Sequence, residues 1–202
     1  LSGNDEFQLT LPIILSMGEI TIEEPTGPDS YGYYIYDSQD EYEIAPSYNW
    51  IEISDIGDDL NIHDPGNGRG YCSEEEDMIC NSDEDCDPPG WQNYGDCEFT
   101  ETTKTVSLPF TFRFYGEDYS SISISSNGWI SFGETEIASF RNYAIPGPGG
   151  PSPMLAVFWD DHRTTGGGDI YTYYDEESDA FIVQWDDMDT YFNGSDNTFQ
   201  AI

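Results

Sequence analysis

Carboxylates are the most abundant side chains of this chain that could do chemistry. Its 202 residues include 41 acidic and five basic ones, which gives a formal net charge of −36 at pH 7. Paired carboxylates can hydrolyse glycosides when they face each other across a sugar, but so many acids make coincidental pairs abundant. Asp160-Asp161-His162 has no accompanying Gly-x-Ser-x-Gly motif of a hydrolase triad. We therefore predict a chain without catalytic activity.

Three alternating acids form the first candidate metal site. Asp83, Asp85 and Asp87 match the spacing of the first three oxygen ligands in a helix-loop-helix calcium loop. Pro88 stands where such a loop needs glycine for its sharp turn, and Tyr94 replaces the closing glutamate. The sequence is therefore compatible with an irregular calcium loop, and the alternative is a solvated acidic turn.

Asp160 and Asp161 form the second candidate metal site. They directly follow a continuous apolar run, so we expect them at the end of a buried strand. Acids at a strand end can converge with acids from neighbouring loops, such as Asp186 and Asp187. Calcium is accordingly the one cofactor that the sequence suggests.

All four cysteines lie in one acidic stretch, at Cys72, Cys80, Cys86 and Cys97. In an exported protein, such a cluster is typical of two disulfides that hold a segment with little core of its own, and three pairings are then open. Zinc binding would favour a Cys-x-x-Cys spacing, which does not occur. A thiol nucleophile would need a histidine base, and neither histidine stands in a recognisable motif with a cysteine. We predict disulfides.

The elements that must position these side chains are β-strands. Phe110, Phe112 and Phe114 alternate with polar residues, which is the period of a strand with one buried face. Asn127-Gly128 lies between two β-rich runs and predicts a hairpin. Further strands are predicted at 29–37, 48–53 and 154–159, and a second hairpin at 170–174 and 180–185. We predict an all-β fold, an antiparallel and jelly-roll-like β-sandwich.

The N-terminal residues predict an additional strand outside the sandwich. Phe7, Leu9 and Leu11 alternate with polar residues within residues 4–15, and Pro25-Thr-Gly-Pro28 then interrupts regular structure. We therefore divide the chain into a strand extension at 1–24 and a β-sandwich at 25–202. The sandwich carries a cysteine-rich acidic insertion at 57–103. The extension is either a donor strand for a neighbouring copy or the end of a preceding domain.

Several segments resemble those of known extracellular modules. They include Leu108-Pro-Phe-Thr-Phe-Arg-Phe-Tyr-Gly116, Ser125-Ser-Asn-Gly-Trp-Ile-Ser-Phe-Gly133 and Phe158-Trp-Asp-Asp161, together with 27–37, 45–53 and 140–147. They look like the β-sandwich modules of large secreted bacterial proteins that accompany gingipain-type cysteine peptidase domains. The segment at 125–133 is also similar to nidogen-type extracellular domains. The resemblance implies export, a multidomain or assembled context and no catalysis by the module itself.

Charge and hydropathy limit the partners and the location. The negative charge repels nucleic acid and anionic membrane surfaces, and no apolar run approaches the roughly 20 residues of a membrane-spanning helix. We expect no nucleic-acid partner and no membrane insertion. Aromatic residues make up 15% of the chain, unlike a disordered acidic tail. The expected location is extracellular or the cell surface, where Asn193-Gly-Ser195 is a candidate glycan acceptor.

The predicted function is that of a non-catalytic structural or interaction subunit. Its N-terminal strand would add to a sheet edge of the next copy, head to tail, to form a filament or a surface layer. A neighbouring domain of the same polypeptide is the other predicted partner. The alternative is a carbohydrate- or calcium-binding accessory module of a larger secreted hydrolase in a gingipain-type context. The aromatic residues suited either to sugar stacking or to a core are Tyr31, Tyr33, Tyr34, Trp91, Trp129 and Trp159.

Overall fold

The computed structural model describes residues 26–37, 40, 45–47, 49–87, 89, 93–98, 102–192 and 194–202. The predicted donor strand with Phe7, Leu9 and Leu11 lies outside these residues, and so do Trp91 and Asn193. In the described part, the elements are twelve strands and one helical turn. In chain order they are β1 (Asp58–Asp59), β2 (Gly70–Cys72), β3 (Glu75–Cys80), α1 (Asp83–Cys86), β4 (Cys97–Glu98), β5 (Thr103–Phe114), β6 (Glu117–Ser125), β7 (Trp129–Phe132), β8 (Met154–Ala156), β9 (His162–Arg163), β10 (Asp169–Asp175), β11 (Ala180–Thr190) and β12 (Asp196–Ala201).

Two antiparallel sheets share one apolar core. The first has the strand order β5-β6-β7-β8, and the second has the order β1-β10-β11-β12, with β9 paired to the end of β11. The predicted hairpin at 170–185 is the pair β10 and β11. Buried residues of both sheets form a single cluster, with Ile122, Ile124 and Ile130 from the first and Ile170, Val183, Trp185, Met188 and Ala201 from the second. The predicted all-β antiparallel sandwich is confirmed.

The strand predicted around the alternating phenylalanines is β5. Phe110, Phe112 and Phe114 are half-buried, and the residues between them are exposed, so the predicted buried face is confirmed. The register of β5 with β6 leaves Tyr115 and Gly116 as a two-residue turn. Both have positive φ, 46° and 85°, as in the type I′ turns that suit the twist of a hairpin.

The Asn127-Gly128 turn joins β6 to β7, and Ser125 pairs with Trp129 across it. This confirms the predicted hairpin. Gly128 has a φ of 74°, and a Cβ at this position would lie 2.0 Å from the Phe158 carbonyl oxygen. Glycine is required here for two reasons, because the backbone is left-handed and because another stretch of backbone occupies the space of a side chain.

The strand predicted at 154–159 is shorter than expected. β8 ends at Ala156, and its half-buried residues lie at the edge of the first sheet instead of being covered on both faces. Beyond it, the N–H groups of Val157 and Phe158 both donate to the Gly128 carbonyl, at 3.1 and 3.0 Å. These bonds end the ladder with β7 because both donors converge on one carbonyl of the turn.

The strand predicted at 29–37 is wrong. The Asp29 carboxylate accepts the N–H groups of Tyr31, Gly32 and Tyr33 at 2.8 to 3.0 Å, and the one ladder-type pairing in this stretch joins Thr26 to Ile35. An aspartate that binds its own following backbone competes with strand pairing for the same donors. The alternation of aromatic residues therefore misled the prediction.

The strand predicted at 48–53 is also wrong for its described residues, 49–53. This segment lies against the sheet of β11 and β12 without pairing as a strand. The Ile53 N–H donates to the Gln184 side chain at 3.3 Å, and Gln200 donates from its side chain to the Ile51 carbonyl. Side-chain amides thus supply the partners that a neighbouring strand would otherwise provide.

A separate three-stranded sheet, with the order β3-β2-β4, lies within the predicted insertion. Disulfides join Cys72 to Cys86 and Cys80 to Cys97, so the predicted disulfides are confirmed and no cysteine is free to bind zinc or act as a nucleophile. Three of these cysteines are the buried residues of the local core, against which Met78 packs. The cross-links stabilise a segment that has little apolar surface to bury.

Gly128→Ala is expected to lower the free energy of unfolding by about 2–4 kcal/mol, because it adds both backbone strain and a collision with the Phe158 carbonyl. Denaturant titration followed by tryptophan fluorescence measures the loss. Gly194→Ala is the matched control, since its φ is 61° and nothing lies within 4 Å of an added Cβ; it should cost roughly 1 kcal/mol. Equal losses in the two variants would contradict the close approach.

Candidate functional site

A cluster of buried polar side chains lies where the β6–β7 turn meets two loops. It consists of Asp64, Ser126, Asn127, Asp161 and His162, each at most 3% exposed, and we name it the polar centre. Ser126 Oγ donates to Asp64 Oδ2 at 2.6 Å, and Asn127 Oδ1 accepts the backbone N–H of His162 at 3.2 Å. The side chains of one turn therefore connect both loops.

Asp161 has a partner on one side of its carboxylate. Oδ1 accepts the Asn67 N–H at 2.9 Å, whereas the buried Oδ2 has no hydrogen-bond partner. Burial raises the pKa of Asp161, and the charge of Asp160 raises it further. Burial likewise raises the pKa of Asp64, and the charge of Asp161 adds to that rise. The polar centre thus holds two carboxylates that both resist ionisation.

Two arginines partly compensate the negative charge. The charge of Arg69 opposes the rise in pKa of both buried carboxylates, and its guanidinium lies 5.1 Å from the Tyr191 ring centroid. Arg163 pairs with Asp189 at 3.0 Å. In the described part of the chain, neither arginine forms an ion pair with a carboxylate of the polar centre. The arginines therefore compensate the negative charge of these carboxylates by longer-range electrostatic attraction and not by direct ion pairs.

His162 is fully buried beside the turn. Its Nε2 lies 2.8 Å from the Phe158 carbonyl oxygen, so we assign the proton to that nitrogen, and Nδ1 is then a buried acceptor without a partner. Burial lowers the pKa of His162 and favours the neutral ring. The rings of Phe158 and Phe199 lie 4.9 and 5.5 Å from it. The imidazole is therefore packed as an aromatic ring with one hydrogen bond to backbone.

The first predicted calcium group lies in and directly after the helical turn α1. Asp83 Oδ1 accepts the Cys97 N–H at 2.9 Å, and Asp85 Oδ2 accepts the Asn81 N–H at 2.8 Å. Hydrogen bonds from Asn81 lower the pKa of Asp85. Asp87 is exposed and directly follows the last residue of α1. The structure thus gives Asp83 and Asp85 roles as backbone acceptors.

Among the described residues, the second predicted calcium group does not form a set of three converging ligands. Asp160 Oδ1 accepts the Asp161 N–H at 2.8 Å, whereas Asp186 contacts the side chains of Gln184 and Thr198, both at 3.3 Å. Among the described residues, one set of three possible metal ligands has its ligand atoms within 4.8 Å of one another. That set is Cys72, Cys80 and Cys86, all of which are in disulfides.

The aromatic residues considered for sugar stacking fall into two groups. Trp129 and Trp159 are buried, and both indole N–H groups donate to the Ser139 carbonyl, at 2.9 and 3.0 Å. These two residues belong to the core. The tyrosines of the set are at the surface, namely Tyr31, Tyr33 and Tyr34.

A family model described as NIDO related matches residues 94–202, which is more than half of the chain. The chain belongs to the NIDO-related family. The matched range includes every strand from β4 to β12, and with them the β6–β7 turn and Asp161. No curated protein and no solved structure matches the chain.

The NIDO-related match confirms the predicted resemblance to nidogen-type domains. Domains of this kind are typically extracellular. No helix among the described residues is long and apolar enough to cross a membrane. Asp64 precedes the matched range, so a residue from outside it completes the polar centre of the NIDO-related domain through its bond with Ser126.

Sequence reasoning missed Asp64 and assigned no role to the side chains of Ser126 and Asn127. Asp64 precedes Pro65-Gly66, which indicates a local turn, and its Oδ1 does accept the Gly66 N–H at 2.8 Å. Its contact with Ser126 spans 62 residues, and no local spacing reports such a contact. The sequence did contain one relevant signal, namely a run of polar residues at a turn between two apolar strands. If such a turn is buried, its polar side chains need hydrogen-bond partners from elsewhere in the chain.

Asp161→Asn is expected to raise the free energy of unfolding by about 1 kcal/mol at neutral pH in the presence of a chelator. The change removes a buried charge and keeps Oδ1 as an acceptor for Asn67. Because the pKa of Asp161 is raised above its usual 3.8, the folded state holds this proton more tightly, so its ionisation lowers stability as the pH rises. The stability advantage of the variant over wild type should therefore grow as the pH rises above 3.8.

Denaturant unfolding at a series of pH values measures this difference. Asp118→Asn is the control of opposite sign, because its hydrogen bond with Arg113 lowers the pKa of Asp118. For this pair, the free energy of unfolding of wild type should increase relative to that of Asp118→Asn as the pH rises from below 3.8. A difference between wild type and Asp161→Asn that does not change with pH would contradict the assignment.

Proposed function

We propose that this NIDO-related domain is a non-catalytic extracellular structural or interaction subunit that joins copies of itself by strand addition. The observation that supports the proposal is the edge of the second sheet. In the described residues, β12 pairs with β11 alone. An edge strand directs alternate N–H and C=O groups away from its partner, and an incoming strand can bind them.

The edge strands β5 and β12 are protected unequally. β5 contains Pro109, has a register shift between Ser107 and Phe112, and is tied at Lys104 to the Leu60 carbonyl. Proline, lysine and bulges are the means by which natural edge strands avoid pairing with other chains. β12 contains neither proline nor lysine. Of these two edges, that of β12 is the more open to an added strand.

β12 alternates between exposed and half-buried residues from Asp196 to Phe199, which suits a donor with alternating apolar residues, and its last two residues are buried. Phe199 stacks on Trp185 with ring centroids 5.0 Å apart, so the core lies directly beneath the edge. A donor strand would place Phe7, Leu9 and Leu11 on the face of Phe199, where they extend the apolar core. Its polar residues would lie on the face of Thr198. Both strands repeat with a period of two, so one register satisfies all three apolar positions.

Head-to-tail repetition of this contact produces a filament or a surface layer, because a heterologous interface does not close unless its rotation generates a ring. The proposed setting is the surface or the secreted material of a bacterium, where modules of this kind accompany gingipain-type peptidase domains. A preceding domain of the same polypeptide is the alternative donor. That arrangement would occupy the edge within one chain and yield no concentration-dependent assembly.

Deletion of residues 1–15 is expected to convert assemblies of this chain into folded monomers, because it removes the donor. Thr198→Lys is expected to raise the concentration needed for half-maximal assembly at least about tenfold, since a lysine on an edge strand opposes pairing. Light scattering after size-exclusion chromatography measures mass, electron microscopy shows filaments, and circular dichroism checks the fold.

Thr111→Lys is the matched control, because Thr111 is an exposed threonine of the protected edge strand β5. It should assemble like wild type. The proposal is refuted by a wild-type chain that stays monomeric at every concentration, or by filaments that persist after the deletion. Equal loss of assembly in Thr111→Lys and Thr198→Lys would indicate an effect of charge rather than of the β12 edge.

Calcium binding is the second candidate function, and the partnerless Oδ2 of Asp161 favours it. Calcium takes oxygen ligands and tolerates irregular geometry, and a bound cation would compensate buried carboxylates that otherwise resist ionisation. The proposed ligands are Asp64 and Asp161, with Asp160 adjacent. A second calcium site at Asp83, Asp85 and Asp87 stays a prediction.

Millimolar calcium at constant ionic strength is expected to raise the melting temperature of wild type by about 3 °C or more. Asp161→Asn should reduce this shift by the contribution of the polar centre, whereas Asp83→Asn, in the other predicted group, should retain that contribution. Magnesium at the same concentration controls for general screening of the acidic surface. An equal shift with magnesium, or an unchanged calcium shift in Asp161→Asn, would contradict a site at the polar centre.

A further inference from the structure

Three tyrosine rings stand together at the surface beside the β5–β6 turn. The ring centroids of Tyr31, Tyr33 and Tyr115 lie 4.9 to 5.8 Å apart. These residues nevertheless remain exposed, by 53%, 36% and 48%. We name this group the tyrosine cluster. Contiguous exposed aromatic surface on a folded domain is typical of a binding site.

One carboxylate holds the backbone at two of these tyrosines and the ring hydroxyl of the third. Asp29 accepts the N–H groups of Tyr31 and Tyr33 and also the hydroxyl of Tyr115, the last at 2.6 Å. The Tyr33 hydroxyl in turn accepts the Tyr115 N–H at 3.3 Å. Phe114 of β5 lies 5.9 Å from the Tyr33 ring. The cluster is therefore preorganised, which lowers the entropy cost of binding a ligand.

The turn itself is built at some conformational cost around these rings. Tyr115 has a φ of 46°, in a turn position where asparagine, aspartate or glycine is favoured and a bulky residue is an outlier. At Gly116 an added Cβ would lie 2.3 Å from the Tyr31 hydroxyl oxygen. Residues held in unfavourable conformations concentrate at functional sites. The strain at Tyr115 therefore indicates a role for its ring beyond closing the hairpin.

The surroundings of the tyrosine cluster determine the class of ligand. Rings in mutual contact leave no cage between them for an ammonium group, so a ligand must lie on their outer faces. The carboxylate of Asp29 and the net charge of −36 disfavour an anionic ligand. Arg113 pairs with Asp118 at 2.7 Å two residues from Tyr115, so this pair provides guanidinium donors and carboxylate acceptors at the rim. Amphipathic rings bordered by polar groups suit a ligand with apolar C–H faces and many hydroxyls.

We propose that the tyrosine cluster binds an uncharged saccharide, with sugar rings stacked on the tyrosine faces and hydroxyls bonded to the polar rim. The site is independent of strand addition, since it lies at the β5–β6 turn and not on β12. An experiment that refutes the proposed assembly would therefore not refute saccharide binding, and the reverse also holds.

Native gels that contain a neutral polysaccharide test this proposal, with a mannan, a β-glucan and a galactan as probes. Wild type is expected to be retarded by at least one of them. Tyr31→Ala and Tyr115→Asn should weaken binding at least tenfold, whereas Tyr31→Phe should retain it because its ring can still stack. Tyr115→Asn is informative because asparagine suits the left-handed turn, so the hairpin should remain folded by circular dichroism. Tyr143→Ala is the matched control, as Tyr143 is 50% exposed and outside the cluster.

The proposal is overturned if none of the three polysaccharides retards wild type, or if Tyr31→Ala and Tyr115→Asn are retarded as strongly as wild type. It is also overturned if retardation is lost equally in Tyr143→Ala. If Tyr31→Ala instead converts a dimer into a monomer, the tyrosine cluster is an interface between copies of the chain and not a saccharide site.

Discussion

The contact of the β6–β7 turn with the backbone at Phe158 is the constraint on which the rest of the sandwich depends. Gly128 lets the two backbones meet, and its carbonyl accepts two N–H groups from the chain that leaves β8. The chain is thereby directed inward, and Asp161 and His162 enter the interior. Without the close approach of the two backbones, the chain after β8 would not be directed into the interior, and these polar residues would not be buried. The turn and the polar centre are therefore one structural unit.

The many carboxylates of this chain have two different physical roles. At some exposed carboxylates the accepted hydrogen bonds dominate and lower the pKa, as at Glu52, where bonds from Gln184 and from Ser54 bring the pKa to about 2. Such groups favour the folded state when ionised. Asp64 and Asp161 behave in the opposite way, because burial dominates and raises their pKa. The overall negative charge alone would not distinguish these two sets.

Local patterns predicted the strands of the C-terminal half because alternation and turn residues agreed there. The β5 phenylalanines, the Asn127-Gly128 turn and the β10–β11 hairpin are such cases. The prediction failed at 29–37, where Asp29 takes the backbone donors that a strand would use. It could not assemble the polar centre either, since Asp64 and Asp161 come from distant loops and only the fold brings them together. The disulfide pairing also depended on three-dimensional proximity.

The two disulfides interleave along the chain, because Cys80 lies inside the loop closed by Cys72 and Cys86 and its partner Cys97 lies outside it. Any single peptide bond between residues 72 and 97 is therefore spanned by at least one covalent cross-link. A protease that cuts once in this exposed acidic segment would nick the protein without separating its two parts. The N-terminal part would keep supplying Asp64 and Leu60 to the sandwich. Between residues 72 and 97, the chain would therefore tolerate a single cleavage that would otherwise disconnect its two parts.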